Sequence, residues 1–175
     1  MPFTPFHLGP AFLLGEMFEK RINLISILIG SIIIDLRATY CLFSGCRPLH
    51  GPFHTFLNAT VIALLLSIFL FSQKEWFQKI TDKLRIEQTY SFISIATGTL
   101  IGTFSHVLLD SFLYMDIKPL WPLVTNPFSG MAVSGTIYLL CILSFIPGLG
   151  IYFHRYLKRD WCSQDSESKR EADFF

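Results

Sequence analysis

Charged residues are scarce. Asp, Glu, Lys and Arg make up 15% of the 175 residues, against roughly 25% in a soluble domain. The formal net charge is +1, so the chain lacks the basic excess that suits nucleic acid and the charged face that suits an oppositely charged partner. No nucleic-acid partner is expected. A signal-peptide profile is missing as well: no positive residue precedes the first apolar run and no small-residue cleavage site stands out. The first apolar segments are therefore expected to stay in the mature protein. The pattern holds no internal repeat and no second domain.

What the chain has instead is apolar length. Hydrophobic residues reach 51% and aromatics 15%. They gather in four long runs, from about Leu24 to Phe43, Phe53 to Ser72, Tyr90 to Met115 and Met131 to Tyr156. Each is near the roughly 20 residues that a helix needs to cross the hydrocarbon core. Pro147 and Gly148 mark an expected kink or break in the fourth. Ahead of the four lies FHLGPAFLLGEMF, apolar but short, which suits a tilted crossing, a re-entrant piece or an interfacial helix. The expected fold is an all-α polytopic membrane bundle of four long spans plus a short N-terminal hydrophobic helix. Residues 1–157 form its single membrane domain, and residues 158–175 a disordered polar cytoplasmic tail.

Basic residues orient the spans. Lys20 and Arg21, then Lys74, Lys79, Lys83 and Arg85, then Arg155, Lys158 and Arg159 mark three cytoplasmic segments. The segment SGCRPLH and the stretch from Asp116 to Ser129 carry one basic residue each and are expected to face outward. On that map four possible metal ligands share the outer leaflet: Asp35, His54, His106 and Asp110. His106 and Asp110 are four apart, so one imidazole nitrogen and one carboxylate oxygen share a helical face. Nitrogen and oxygen donors of this kind suit a divalent metal, zinc first, with manganese or iron as alternatives. Ionisable groups inside a membrane are costly, and a functional site is the default reading of them. The plainer readings are that HxxxD arises by chance, and that Asp35 pairs with Arg37 or caps a helix break.

Other residues invite plainer accounts. His50 precedes His54 by four and reads as a solvated loop histidine before a ligand. Cys41 and Cys46 lie where oxidation is permitted, but read as unpaired before they read as a disulfide. Cys141 reads as packing, Cys162 as tail, and Glu16 with Lys20 as an ion pair. Trp76, Trp121 and Trp161 suit membrane interfaces. Gly98 and Gly102 form a GxxxG for close helix contact. Asn126 reads as a turn residue before a substrate contact.

The segments MPFTPFHLGPA, GSIIIDL, LHGPFHTFLNAT and GTFSHVLLDSFLYMDIKPLWP, followed by NPFSG, together resemble the small inner-membrane metal-dependent hydrolases of the YdjM and DUF4184-like group. The resemblance runs from Met1 to about Gly130. It implies a bacterial inner-membrane location and a distant relation to zinc-dependent phospholipase C and P1 nuclease, with a similar helical core. It also implies a site of His7, Asp35, His54, His106 and Asp110. Asp35, His54, His106 and Asp110 would surround one metal, while His7 joins Asp110 on a neighbouring one. For His7 to take part, the short first segment must cross the membrane; the alternative leaves the terminus in the cytoplasm and His7 outside the site. The chain departs from the group at Arg37, where relatives carry an acidic residue nearby, and at Tyr114, where they carry a histidine. The downstream His and Glu cluster of phospholipase C is absent, so one or two metals are expected rather than three.

The expected function is metal-dependent hydrolysis, with a phosphoester or lipid as the substrate class and the bilayer as the partner. Asp35 serves as ligand or as general base. A metal carrier or transporter, and a non-catalytic scaffold with a relic site, are the rivals.

Overall fold

The computed structural model describes residues 4–172 except 48, 85 and 87, with no side-chain description for residues 4, 5 and 159–172. Arg85 and Pro2 thus lie outside the described residues. Seven α-helices follow one another: α1 (Leu8–Met17), α2 (Leu24–Ile33), α3 (Asp35–Ser44), α4 (Phe56–Ser72), α5 (Lys74–Lys83), α6 (Phe92–Leu113) and α7 (Ser134–Ala172). Short 3-10 turns at Thr4–His7 and Gly51–Phe53 precede α1 and α4. No strand occurs among the described residues.

Polar caps set where helices begin. Asn23, Thr55 and Ser91 each accept a hydrogen bond from the backbone N–H three residues on, which satisfies one of the free donors at the starts of α2, α4 and α6. The segments Leu24–Ser44, Phe92–Leu113 and Ser134–Lys158 are each long and apolar enough to cross a membrane. α4 extends about 25 Å and meets α5 at a 74° bend, and the two pass the same test only together. The count of three or four crossings agrees with the expected bundle, with α1 as the short apolar helix.

Packing is inverted relative to a soluble protein. On α4 the buried positions are Ala59, Ala63, Ser67 and Leu70, while Leu57, Val61, Leu64, Leu65, Ile68 and Phe69 face outward. With lipid outside there is no hydrophobic gain from turning large side chains inward. Close backbone approach and buried hydrogen bonds hold helices together instead. α6 is the centre of the bundle, flanked by α2 and α4. Gly98 and Gly102 of α6 pack against Ser26, Ile27 and Ser31 of α2, and Gly30 of α2 packs against the Thr99 backbone. The Ser67 and Thr99 hydroxyls, 2.7 Å apart, join α4 to α6. α7 reaches the bundle mainly through α1, where Gly9 lies against the Cys141 carbonyl and Gly148 against Phe12.

Several expectations are corrected. Pro147 lies inside α7 without ending it. The helix is assigned as far as Ala172. Glu16 bonds Arg155 at 3.0 Å rather than Lys20, because α1 packs on α7, and Arg155 reaches Glu19 as well. Cys41 and Cys46 are disulfide-bonded. α3 ends at Ser44, and Gly45, at φ 74°, turns the chain back so that Cys46 returns to Cys41.

The α2–α6 seam can be tested. A Cβ on Gly30 would sit 2.8 Å from the Thr99 carbonyl oxygen and 3.1 Å from its Cα, both backbone atoms that cannot swing aside. Gly30→Ala should lower stability by about 1–3 kcal/mol, the usual range for overpacking, read as a fall in thermal midpoint in detergent. Gly135→Ala, which meets nothing within 4 Å, should leave the midpoint unchanged or raise it.

Candidate metal centre

The site lies at the end of the bundle where α2 gives way to α3. His106, on α6, donates from Nδ1 to the Ser31 carbonyl at 2.6 Å. In an unbroken helix the Asp35 N–H would meet that same carbonyl. A side chain inserted into the ladder is a recognised cause of helix breaks, and the first long run divides at Ile34, immediately before Asp35. Asp35 is the first residue of α3, and Ile34 before it keeps helical dihedrals (φ −63°, ψ −37°), so Leu24–Ser44 stays one span. Ile34, Ala59 and Val107 form a fully buried apolar cluster next to these ligand positions in the chain.

His54 sits between the Gly51–Phe53 turn and α4. Its Nδ1 donates to the His50 carbonyl at 2.9 Å. The turn itself is tightly specified: Gly51 adopts φ 52° and lies under the Arg37 guanidinium, which leaves no room for a side chain. Arg37 also donates from its guanidinium to the Leu49 carbonyl at 3.1 Å. Arg37 thus holds the loop carrying His54.

Four donor atoms converge. His54 Nε2 lies 3.3 Å from Asp35 Oδ1 and 3.3 Å from Asp110 Oδ2. His106 Nε2 lies 3.2 Å from Asp35 Oδ1 and 3.3 Å from Asp110 Oδ2. All four residues are at most 1% exposed, and their ligand atoms fall within 4.8 Å of one another. The four alternating contacts of 3.2–3.3 Å edge a ring whose donor atoms all lie within 4.8 Å of one another, small enough for one divalent ion to reach all four.

Proton placement strengthens the fit. Each Nδ1 must carry its hydrogen to reach a carbonyl, so in a neutral imidazole the Nε2 lone pair points at carboxylate oxygens that are also acceptors. Two buried carboxylates facing bare lone pairs need compensating positive charge. His106 Nε2 and both oxygens of Asp110 lie in contact range yet form no aligned hydrogen bond. A divalent cation would satisfy every one of these atoms and cancel the two negative charges. The cluster can hold a metal ion, with both Nδ1 bonds acting as the outer hydrogen bonds that orient ligand histidines.

His7 joins this group. Its Nε2 lies 3.1 Å from Asp110 Oδ1, and its ring stacks on His106 with centroids 4.2 Å apart. Neither ring nitrogen makes an aligned hydrogen bond. The amino-terminal turn is therefore at the site end of the bundle, with α1, a short apolar helix, packed on α2 and α7. Asp110 divides its oxygens, Oδ2 toward His54 and His106 and Oδ1 toward His7.

The sequence missed a flanking pair. His50 is 3% exposed rather than solvated, and its Nδ1 bonds both Asp116 oxygens at 2.9 Å. Its ring packs on Tyr114 at 4.2 Å and on His54 at 4.9 Å between centroids. The four-residue spacing of His50 and His54 was visible; nothing local to Asp116 pointed to it. Asn126 has the turn role: its amide donates to the Ser111 and Tyr114 carbonyls, and its oxygen accepts from the Phe128 N–H. His154 belongs to the distal part of α7, and Cys141 is buried as packing.

No curated protein and no solved structure matches this chain, which leaves the implied likeness to phospholipase C and P1 nuclease without a solved fold behind it. A family model does match, over residues 6–164. That stretch takes in all five converging residues and every helix able to cross a membrane. The chain accordingly belongs to the YdjM inner membrane protein family, and is a multi-pass protein of that membrane.

Proposed function

We propose that this protein is a membrane-embedded metal-dependent hydrolase acting on a phosphoester, in which Asp35, His54, His106 and Asp110 hold a divalent metal, zinc first. The observation that carries the reading is the alternating ring of two Nε2 atoms and two carboxylate oxygens at 3.2–3.3 Å. Both histidines in it are locked by Nδ1 bonds to backbone carbonyls.

The chain's own residues divide the work. His54 and His106 keep their protons on Nδ1 and present Nε2 as donors. Asp35 touches both imidazoles with one oxygen, which is a ligand's place rather than a free base's. Asp110 contributes one oxygen to this ring and offers the other to His7. The His7–Asp110 pair is an incomplete donor set, the part of the site that leaves positions for water and substrate. A bound divalent metal supplies a water of lowered pKa and polarises the bond to be cleaved. The Cys41–Cys46 disulfide closes α3 near this end of the bundle and favours an oxidising compartment there, in support of an outward-facing site.

One observation favours a second reading. Four protein donors are the full number of a structural zinc site, and all four are buried, as in metal sites that only stabilise a fold. On that reading the protein is a metal-stabilised scaffold, and His7 is a packing residue.

Two measurements separate these. Metal content of detergent-purified protein should be near-stoichiometric in wild type and lost in His106→Ala and Asp110→Ala. Affinity should fall by more than the about 10–100-fold that losing an outer partner costs. Well-folded wild type that takes up no zinc or manganese would sink both metal readings. His7→Ala should keep the ion held by the other four residues while losing phosphodiester turnover. Turnover that survives His7→Ala removes His7 from the reaction, and a metal-loaded protein inactive on every phosphodiester offered leaves the scaffold.

A further inference from the structure

A groove of about 430 Å3 opens beside the metal centre, between the turn before α4 and the loop after α6. Its size falls in the range of small-ligand sites. Asp116, Lys118 and Trp121 line one wall, and Gly51, Pro52 and Asn58 the other. One anion, one cation and an indole thus share a single recess. Asp116 is bonded to His50 on its inner side yet keeps 45% of its side chain exposed. Trp121 is 54% exposed.

The loop that carries Asp116, Lys118 and Trp121 is otherwise apolar. Met115, Leu120, Leu123 and Val124 are all exposed on it beyond the helix end, where loops ordinarily present polar side chains. In an inner-membrane protein such a loop belongs at the boundary between headgroups and acyl chains, the level that tryptophan also prefers. From the groove, Asp116 leads to His50 at 2.9 Å, and the His50 ring leads to His54. The recess is one histidine away from the metal ligands.

We propose that this groove seats the zwitterionic headgroup of a membrane phospholipid, its ammonium on Asp116 and Trp121 and its phosphate on Lys118. Charge decides the class. A purely anionic headgroup would meet Asp116, and a purely cationic ligand would meet Lys118, whereas a headgroup with both charges satisfies the two at once. The indole face adds cation–π attraction for the ammonium. The exposed apolar residues of the same loop favour a lipid over a water-soluble phosphodiester, because acyl chains have a surface to follow. The proposal deepens the hydrolase reading by naming its substrate class, but binding in the groove does not itself depend on a metal.

Native mass spectrometry of the full chain in detergent tests it, with dioleoyl-phosphatidylethanolamine, dioleoyl-phosphatidylcholine and dioleoyl-phosphatidylglycerol titrated in turn. Wild type should retain the two zwitterionic lipids about tenfold more tightly than phosphatidylglycerol, as expected from one ion pair plus one cation–π contact. Trp121→Ala, at an exposed position, should remove most of that preference without loss of folded protein. Lys118→Glu takes away the phosphate's partner and should weaken retention of all three lipids, phosphatidylglycerol most. Asp116→Asn keeps an acceptor for His50 and should raise phosphatidylglycerol binding toward parity. Equal retention of all three lipids by wild type overturns the proposal, as does a preference that survives both Trp121→Ala and Asp116→Asn, or retention unchanged by Lys118→Glu. Displacement by glycerophosphoethanolamine at concentrations similar to the lipid overturns the lipid source. Metal content and turnover are read on the same samples. Zwitterionic preference without metal or turnover removes the hydrolase reading and keeps the groove; metal and turnover without the preference do the reverse.

Discussion

Two carboxylates buried in the bundle face two imidazoles whose other nitrogens are already committed to backbone carbonyls. That constraint shapes the structure around it. His106 takes the Ser31 carbonyl three residues before Ile34, the one residue at which the hydrogen-bonded helix of Leu24–Ser44 is interrupted, immediately ahead of Asp35. Because His54 takes the His50 carbonyl, the loop before α4 is pinned to the site, with Arg37 clasping it over Gly51. A low-dielectric interior tolerates none of these groups singly. The deviations from regular helix are what let them meet.

Bringing them together requires helices to approach closely, and the bilayer sets how that is done. Glycine, serine and threonine line the contacts among α2, α4 and α6, while leucine, isoleucine and phenylalanine face outward. Small residues at the seam draw backbones near enough for His106 to reach across to Ser31. Large residues there would hold the helices apart and leave the carboxylates without partners. Site geometry and membrane packing are thus one problem, solved by the same residues.

The far end of the bundle is built from different chemistry. Asn23 and Gln88 tie the start of α2 to the segment before α6, and Arg155 bonds Glu16 and Glu19 to hold α1 on α7. Anchoring α1 in this way delivers the turn at its other end, and His7 with it, to Asp110. Packing of α1 and of the turn carrying His7 on α2 and α7 fixes the same placement along its length.

Apolar run length, loop charge and the four-residue spacing of His106 and Asp110 are local properties, and they were legible as a membrane bundle with a possible metal site. The GxxxG of Gly98 and Gly102 could be read the same way, since helical periodicity alone places both on one face. Pairings across long separations could not. His50 with Asp116 are 66 residues apart and Glu16 with Arg155 are 139 apart. Nothing near either partner shows which distant group it will meet. The disulfide depended on Gly45 turning the chain back after α3, and the break at Ile34 on a side chain arriving from another helix. Residue type and spacing determined which elements form and which groups can bind a metal. Only the tertiary structure decided which carbonyl each imidazole holds and which oxygen of Asp110 serves His7, because those choices follow from how closely and at what depth the helices pack.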